Sequence, residues 1–211
     1  MDLVRRAETL PTRLAVFPGA FNPPTRAHLA LAEAALREAD EVLFVLPRVF
    51  PHKAYEGASF EDRLRLLEAA VAASARFSLA VSEGGLFLDI AREARRHYGA
   101  NVELSFLCGR DAAERIVNWN YSEPDAVRRM FEEFALLVAR RAGEYEPPAQ
   151  LRPHIRTLTM ESGWDEVSAT AVRRRIAAGE AWRDLVPEPI VPLVERIYRP
   201  WVNAGGTTGR Q

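Results

Sequence analysis

Val16-Phe17-Pro18-Gly19-Ala20-Phe21-Asn22-Pro23-Pro24-Thr25-Arg26-Ala27-His28-Leu29 is the stretch on which the fold turns. A strand-like apolar run stops at a turn marked by glycine and proline, and a helical pattern opens directly behind it. Such a turn brings backbone N–H groups up to whatever lies above the strand end, and the helix N-terminus adds its positive pole. Thr25 and His28 are three residues apart, so they share one face of the first helical turn. A hydroxyl and an imidazole aimed at a helix-terminal anion site suit phosphate chemistry. Taken alone, the same stretch could be a proline-stiffened turn whose His28 merely caps the helix, so the rest of the chain has to decide.

Outward from this turn, strand and helix patterns alternate. Strands are expected at 13–17, 41–47, 77–82, 102–108 and 134–139, with a sixth at 154–160. The run Glu41–Pro47 is continuously apolar, as a buried parallel strand should be. Helices are expected at 25–39, from Ser59 onward with Phe60, Leu64, Leu67 and Val71 at helical spacing, and at 86–98 with Gly99 as the stop. A polar helical segment spans 112–133 with a break near 118–124, and further helices cover 168–178 and 187–198. The alternation predicts a doubly wound, Rossmann-like parallel α/β sheet of five or six strands with helices on both faces. Ligands of such sheets lie outside the carboxyl ends of the strands, where the loops 18–24, 48–58, 84–86 and 109–111 converge. One domain is expected over residues 1–200, with a disordered tail at 201–211.

Composition narrows the class. The 211 residues are 48% hydrophobic and 27% charged, ordinary for a globular chain, and the formal net charge of -1 argues against a nucleic-acid binder. No apolar run approaches the roughly 20 residues of a membrane span, and the N-terminus lacks the apolar core of a signal peptide, so a cytoplasmic setting is expected. Cys108 is the only cysteine, which excludes an internal disulfide and a cysteine-based zinc cage. Of the 28 basic residues, Lys53 alone is a lysine. It stands in the loop Pro51-His52-Lys53, where a compact ammonium and a planar guanidinium would act differently on a phosphate.

A second segment, Asp165-Glu166-Val167-Ser168-Ala169-Thr170-Ala171-Val172-Arg173, repeats the design of the first. Ser168 is a plausible N-cap, and Thr170 and Arg173 lie three apart on the emerging helix. An ordinary capped helix with solvated arginines would read the same way.

The first stretch resembles the Gly-x-Phe-x-Pro-x-(His/Thr)-x-x-His signature of the nucleotidyltransferases structurally related to class I tRNA synthetases. With Thr in the first position, it is similar to nicotinamide mononucleotide adenylyltransferases. The second resembles that superfamily's Ile-Ser-Ser-Thr-x-x-Arg element, with Val167 for Ile and Ala169 for the second Ser. Pro51-His52-Lys53, Glu61-Asp62-Arg63-Leu64, Gly109-x-Asp111 with Trp119, and Leu185-Val186-Pro187 with Tyr198 look like elements of bacterial nicotinate-nucleotide adenylyltransferases. The resemblance covers about residues 13–199. It implies transfer of AMP from ATP to the phosphate of a pyridine mononucleotide, nicotinate or nicotinamide, with release of pyrophosphate.

The resemblance also implies roles. His28, Thr25, Lys53 and Arg173 would serve the reacting phosphates. Gly19, Ala20, Phe21, Gly109, Asp111, Ser168 and Thr170 would hold the nucleotide, and Trp119 and Arg63 the acceptor. Mg²⁺ would arrive on ATP oxygens rather than in a protein cage. The expected partners are ATP and a small phosphorylated acceptor, with no nucleic acid and no membrane; a homo-oligomer stays open. The family's Ser-Tyr-Thr-x-x-Thr segment has no counterpart, since this chain reads Gly84-Gly85-Leu86-Phe87-Leu88-Asp89 there. Another phosphate acceptor, such as phosphopantetheine or a glycerol or sugar phosphate with CTP as donor, therefore stays open. So does a non-catalytic nucleotide-binding relative.

Overall fold

A computed structural model describes residues 1–8, 10–49, 57–118, 126–139, 145–160 and 163–204, leaving aside the side chains of 126 and 200–204. The strands are β1 (Asp2–Arg5), β2 (Arg13–Pro18), β3 (Glu41–Pro47), β4 (Phe77–Ser82), β5 (Glu103–Gly109), β6 (Ala135–Ala139) and β7 (Ile155–Leu158). The helices are α1 (Arg26–Ala35), α2 (Phe60–Val71), α3 (Phe87–Tyr98), α4 (Arg110–Asn118), α5 (Ala126–Glu133), α6 (Ala169–Ala178) and α7 (Val191–Ala204). They build one seven-stranded sheet in the order β1-β4-β3-β2-β5-β6-β7, parallel except for β1.

The chain winds from β2 through β3 to β4, then crosses to the other side of β2 to form β5. The order therefore reverses between β2 and β5, which is the switch point where such sheets open a crevice. Val16 pairs with Phe106 across this seam, so Gly19 and Gly109, each three residues further on, leave the sheet side by side.

Alternation along the strands supplies both faces. Ala15, Phe17, Val42, Phe44 and Leu46 pack with Leu31 and Ala35 of α1 and Leu67 and Val71 of α2. Leu14, Val16, Leu43 and Val45 point the other way, toward Ile90 and Ala94 of α3, Ala113 of α4 and Phe131 of α5. A third cluster lies outside this sandwich. There Leu66 and Ala70, on the outer side of α2, meet Val172 and Ile176 of α6 and Ile190, Val194 and Tyr198 of the C-terminal segment.

The sheet carries one strand more than the five or six expected. β1 has four residues, none of them fully buried, so no apolar run announces it. It forms by docking antiparallel on the β4 edge, where Arg5 Nε donates to the Phe77 carbonyl at 3.3 Å and the Ala7 N–H to Ser78 Oγ at 2.8 Å. α1 also ends at Ala35 rather than 39, and α7 reaches Ala204, into the stretch read as a tail. No helix among the described residues is long and apolar enough to cross a membrane.

Candidate active site

The turn after β2 is held from several directions. Gly19 N–H donates to the Val45 carbonyl at 3.1 Å, which keeps the β2–β3 ladder going one residue past Pro18. A Cβ on Gly19 would stand 2.9 Å from the Phe21 ring, so any larger residue there would have to displace that buried ring. Phe21 takes a left-handed backbone, φ 45°, rare for so bulky a residue. Its buried ring repays part of that strain by packing edge-on to Phe17 and His28, with centroids 5.4 and 5.3 Å away. Behind the turn, the buried Arg63 of α2 donates from Nη1 to the Ala20 carbonyl at 3.2 Å.

Thr25 is the N-cap of α1 and fully buried. Its backbone N–H donates to His28 Nδ1 at 2.9 Å, and its hydroxyl lies 2.7 Å from the same nitrogen. Nδ1 is thereby an acceptor, which puts the proton of the neutral ring on Nε2. The cap thus fixes a tautomer as well as a ring orientation. His28 is half-buried on the first turn of α1, its ring against that of Phe21.

The second segment folds as expected. Ser168 caps α6 and accepts from the Ala171 N–H at 3.1 Å. Arg173, one turn further on, donates from Nη1 to the Asn22 carbonyl at 2.6 Å and from Nη2 to Thr170 Oγ1 at 3.4 Å. One guanidinium therefore ties the N-terminus of α6 to the turn that opens α1. Two positive helix ends, a half-buried Arg and an imidazole donor share one place at the carboxyl edge of the sheet.

The remaining expected residues divide. Gly109 closes β5 beside Gly19. Asp111 sits on the first turn of α4 with its side chain 89% exposed, 3.7 Å from Arg110, so its ion pair stays on its own turn and not in the Arg173 cluster. Lys53, with Pro51 and His52, and Trp119 lie outside the described residues. Arg63, expected to touch the acceptor, is buried on α2, with its Nη1 donating to the Ala20 carbonyl of the turn. Cys108 is buried beneath the site, and desolvation pushes its thiol up to about 12. Among the described residues no three His, Cys, Asp or Glu side chains gather as a metal cage.

Two further contributors, both within motifs quoted above, received no role from the sequence. Asn22 is buried, and its Oδ1 accepts from the Tyr198 hydroxyl and, at 3.4 Å, from the Ala58 N–H. Tyr198 is fully buried on α7, and desolvation holds its hydroxyl well above the usual tyrosine range although Arg173 and Arg63 pull it back. It stays protonated and donating. The signal for Asn22 was its place between Phe21 and Pro23. Nothing local could pair it with a residue 176 positions away.

The family model described as cytidylyltransferase-like matches residues 16–175. The chain is 31% identical to a probable nicotinate-nucleotide adenylyltransferase of Exiguobacterium sibiricum, over 87% of this chain and 96% of that protein. A protein of the same description from Treponema pallidum is 32% identical over 84% and 94%. Among solved structures, the nicotinic acid mononucleotide adenylyltransferase of Plasmodium falciparum complexed with APC superimposes with a TM-score of 0.68 at 14% identity. That match covers 90% of this chain and 97% of the other. Likeness at such identity speaks to the fold.

Proposed function

Because the chain belongs to the cytidylyltransferase-like family, we propose that it is an adenylyltransferase joining AMP from ATP to the phosphate of nicotinate mononucleotide, a step of NAD biosynthesis. The observation that carries this reading is the Arg173 bridge to Asn22, which draws two phosphate-type helix starts into one site at the β2/β5 seam. The relatives named above as nicotinate-nucleotide adenylyltransferases support the donor and the acceptor.

The chemistry needs no covalent intermediate. An oxygen of the acceptor phosphate attacks the α-phosphorus of ATP in line, the bond from that phosphorus to the bridging oxygen breaks, and pyrophosphate leaves with the electron pair. Catalysis then consists of positioning and of matching the charge that builds up on the phosphates. His28 donates its Nε2 proton to a phosphate oxygen, since Nδ1 is occupied by the Thr25 cap. Arg173, with the α1 and α6 N-termini and the lone Lys53, offsets charge on the α-phosphate and the departing pyrophosphate. Thr170 and Ser168 line the α6 start, the backbone of Gly19, Ala20 and Phe21 faces the nucleotide, and Gly109 and Asp111 lie across the seam from it. Trp119 stacks on the pyridine ring. Arg63 acts from behind by holding the Ala20 carbonyl. Mg²⁺ fits as an ion carried on triphosphate oxygens and water, a mode that needs no cage of protein ligands, and it would neutralise phosphate charge there.

Pyrophosphate release measured across nicotinate mononucleotide, nicotinamide mononucleotide, phosphopantetheine and glycerol phosphate, each with ATP and with CTP, tests the reading. ATP with nicotinate mononucleotide should give the highest kcat/KM. A faster reaction with CTP or with a non-pyridine phosphate would overturn the assignment.

A further inference from the structure

Arg173 takes its place in the site from a backbone carbonyl, that of Asn22, and so its aim is only as good as the position of that residue. Asn22 is 5% exposed and is gripped from two further elements. The Tyr198 hydroxyl of α7 and the Ala58 N–H, just ahead of α2, both donate to its Oδ1. With Oδ1 so occupied, Nδ2 points at Gly57, whose φ of +134° favours glycine and where a Cβ would collide with Nδ2. The Tyr198 ring is fully buried in the same cluster as Val172 and Ile176 of α6, the helix that bears Arg173.

We propose that Tyr198 and the Asn22 carboxamide form a positioning pair that aims Arg173 at the triphosphate and joins α6, α7 and the loop before α2 to the turn after β2. This rests on the adenylyltransferase reading for what Arg173 touches. Neither residue of the pair meets the reacting atoms. Tyr198 locks the Asn22 side chain, and the locked residue presents its carbonyl to one arm of the guanidinium. The other arm is left to Thr170 and the ligand. A hydroxyl 176 residues from the turn thereby sets the geometry of the charge-balancing cation, and the C-terminal helix becomes part of the ATP site without contributing a group to it.

Tyr198→Phe removes one oxygen and keeps the buried ring. It should lower kcat/KM for ATP by about tenfold, the scale of one lost buried hydrogen bond. The KM for the acceptor should stay within about twofold. In an Arg173→Ala background the same change should cost nothing more, because the pair acts through the missing guanidinium. An equal loss in both backgrounds, or an unchanged kcat/KM for ATP, would show that Tyr198 only stabilises the fold and would end the proposal. If Tyr198→Phe does not fold by circular dichroism, Asn22→Ala carries the same cycle with the same expected non-additivity. Affinity for a non-hydrolysable ATP analogue, measured by calorimetry, is read in parallel. A parent enzyme that binds the analogue but turns over no pyridine mononucleotide would defeat the functional reading, while the binding cycle would still decide the positioning pair.

Discussion

At His28 a single hydrogen bond decides what the side chain can do. The Thr25 N–H donates to Nδ1, so in the neutral ring the proton sits on Nε2, the donor that the proposed reaction calls for. His28→Ala should therefore lower kcat by about 10²–10³-fold, the scale seen on removing a preorganised donor, while ATP affinity falls much less. Turnover within a few-fold of the parent would make His28 a helix cap and nothing more. The sequence announced both residues through their spacing, because three positions along a helix fix a shared face whatever the surroundings. It could not announce the burial of Arg63. Its Nη1 holds the Ala20 carbonyl, a contact that depends on how α2 packs and not on any local pattern.

Elements were legible where a pattern is self-sufficient. β3 is buried at every position, and its apolar run could be nothing else. β1 escaped because it exists only by pairing with β4, and four half-exposed residues carry no periodicity. The opposite, amino-end edge of the sheet is held by a device just as hard to foresee, Asp40 at the start of β3. Its carboxylate accepts from the Thr12 and Arg13 N–H groups at 3.0 and 2.9 Å, from the Thr12 hydroxyl and from the Arg13 guanidinium. The Arg13 bonds, backbone first, hold its carboxyl well below the usual carboxylate range. A group depressed in the folded state stabilises above its unfolded pKa, about 3.9, and loses that contribution as pH falls toward the folded value. Asp40→Asn should thus lower Tm at pH 6–7, and the gap to the parent should close steadily below about pH 4. KM for both substrates should not move, since the site lies at the other end of the strands. A Tm gap independent of pH would mean that packing, not charge, is at stake.

On the scale of the whole molecule, β2 is the divide. Its turn, with α1, α2 and the α6–α7 layer stacked behind one face, gathers most of the groups proposed for ATP, while Gly109 and Asp111, also proposed for the nucleotide, stand on β5 and α4 across the seam. The fold class followed from the alternation of strands and helices, but this division did not, because strand order is a long-range property that no window of sequence contains. Trp119 directly follows α4 in the sequence and lies outside the described residues, so the acceptor role proposed for it is a matter for substitution. Stacking on a flat pyridinium ring adds roughly 0.5–1.5 kcal/mol beyond the area buried, equivalent to about two- to twelvefold in affinity. Trp119→Ala should accordingly raise the KM for nicotinate mononucleotide by about that factor or more, the lost area adding to it, and leave the KM for ATP nearly unchanged. A rise in both constants would mean that Trp119 supports the site as a whole rather than the acceptor alone. An unchanged acceptor KM would assign Trp119 to packing and move the assignment toward a different phosphate acceptor, which the departure at Gly84–Asp89 leaves open.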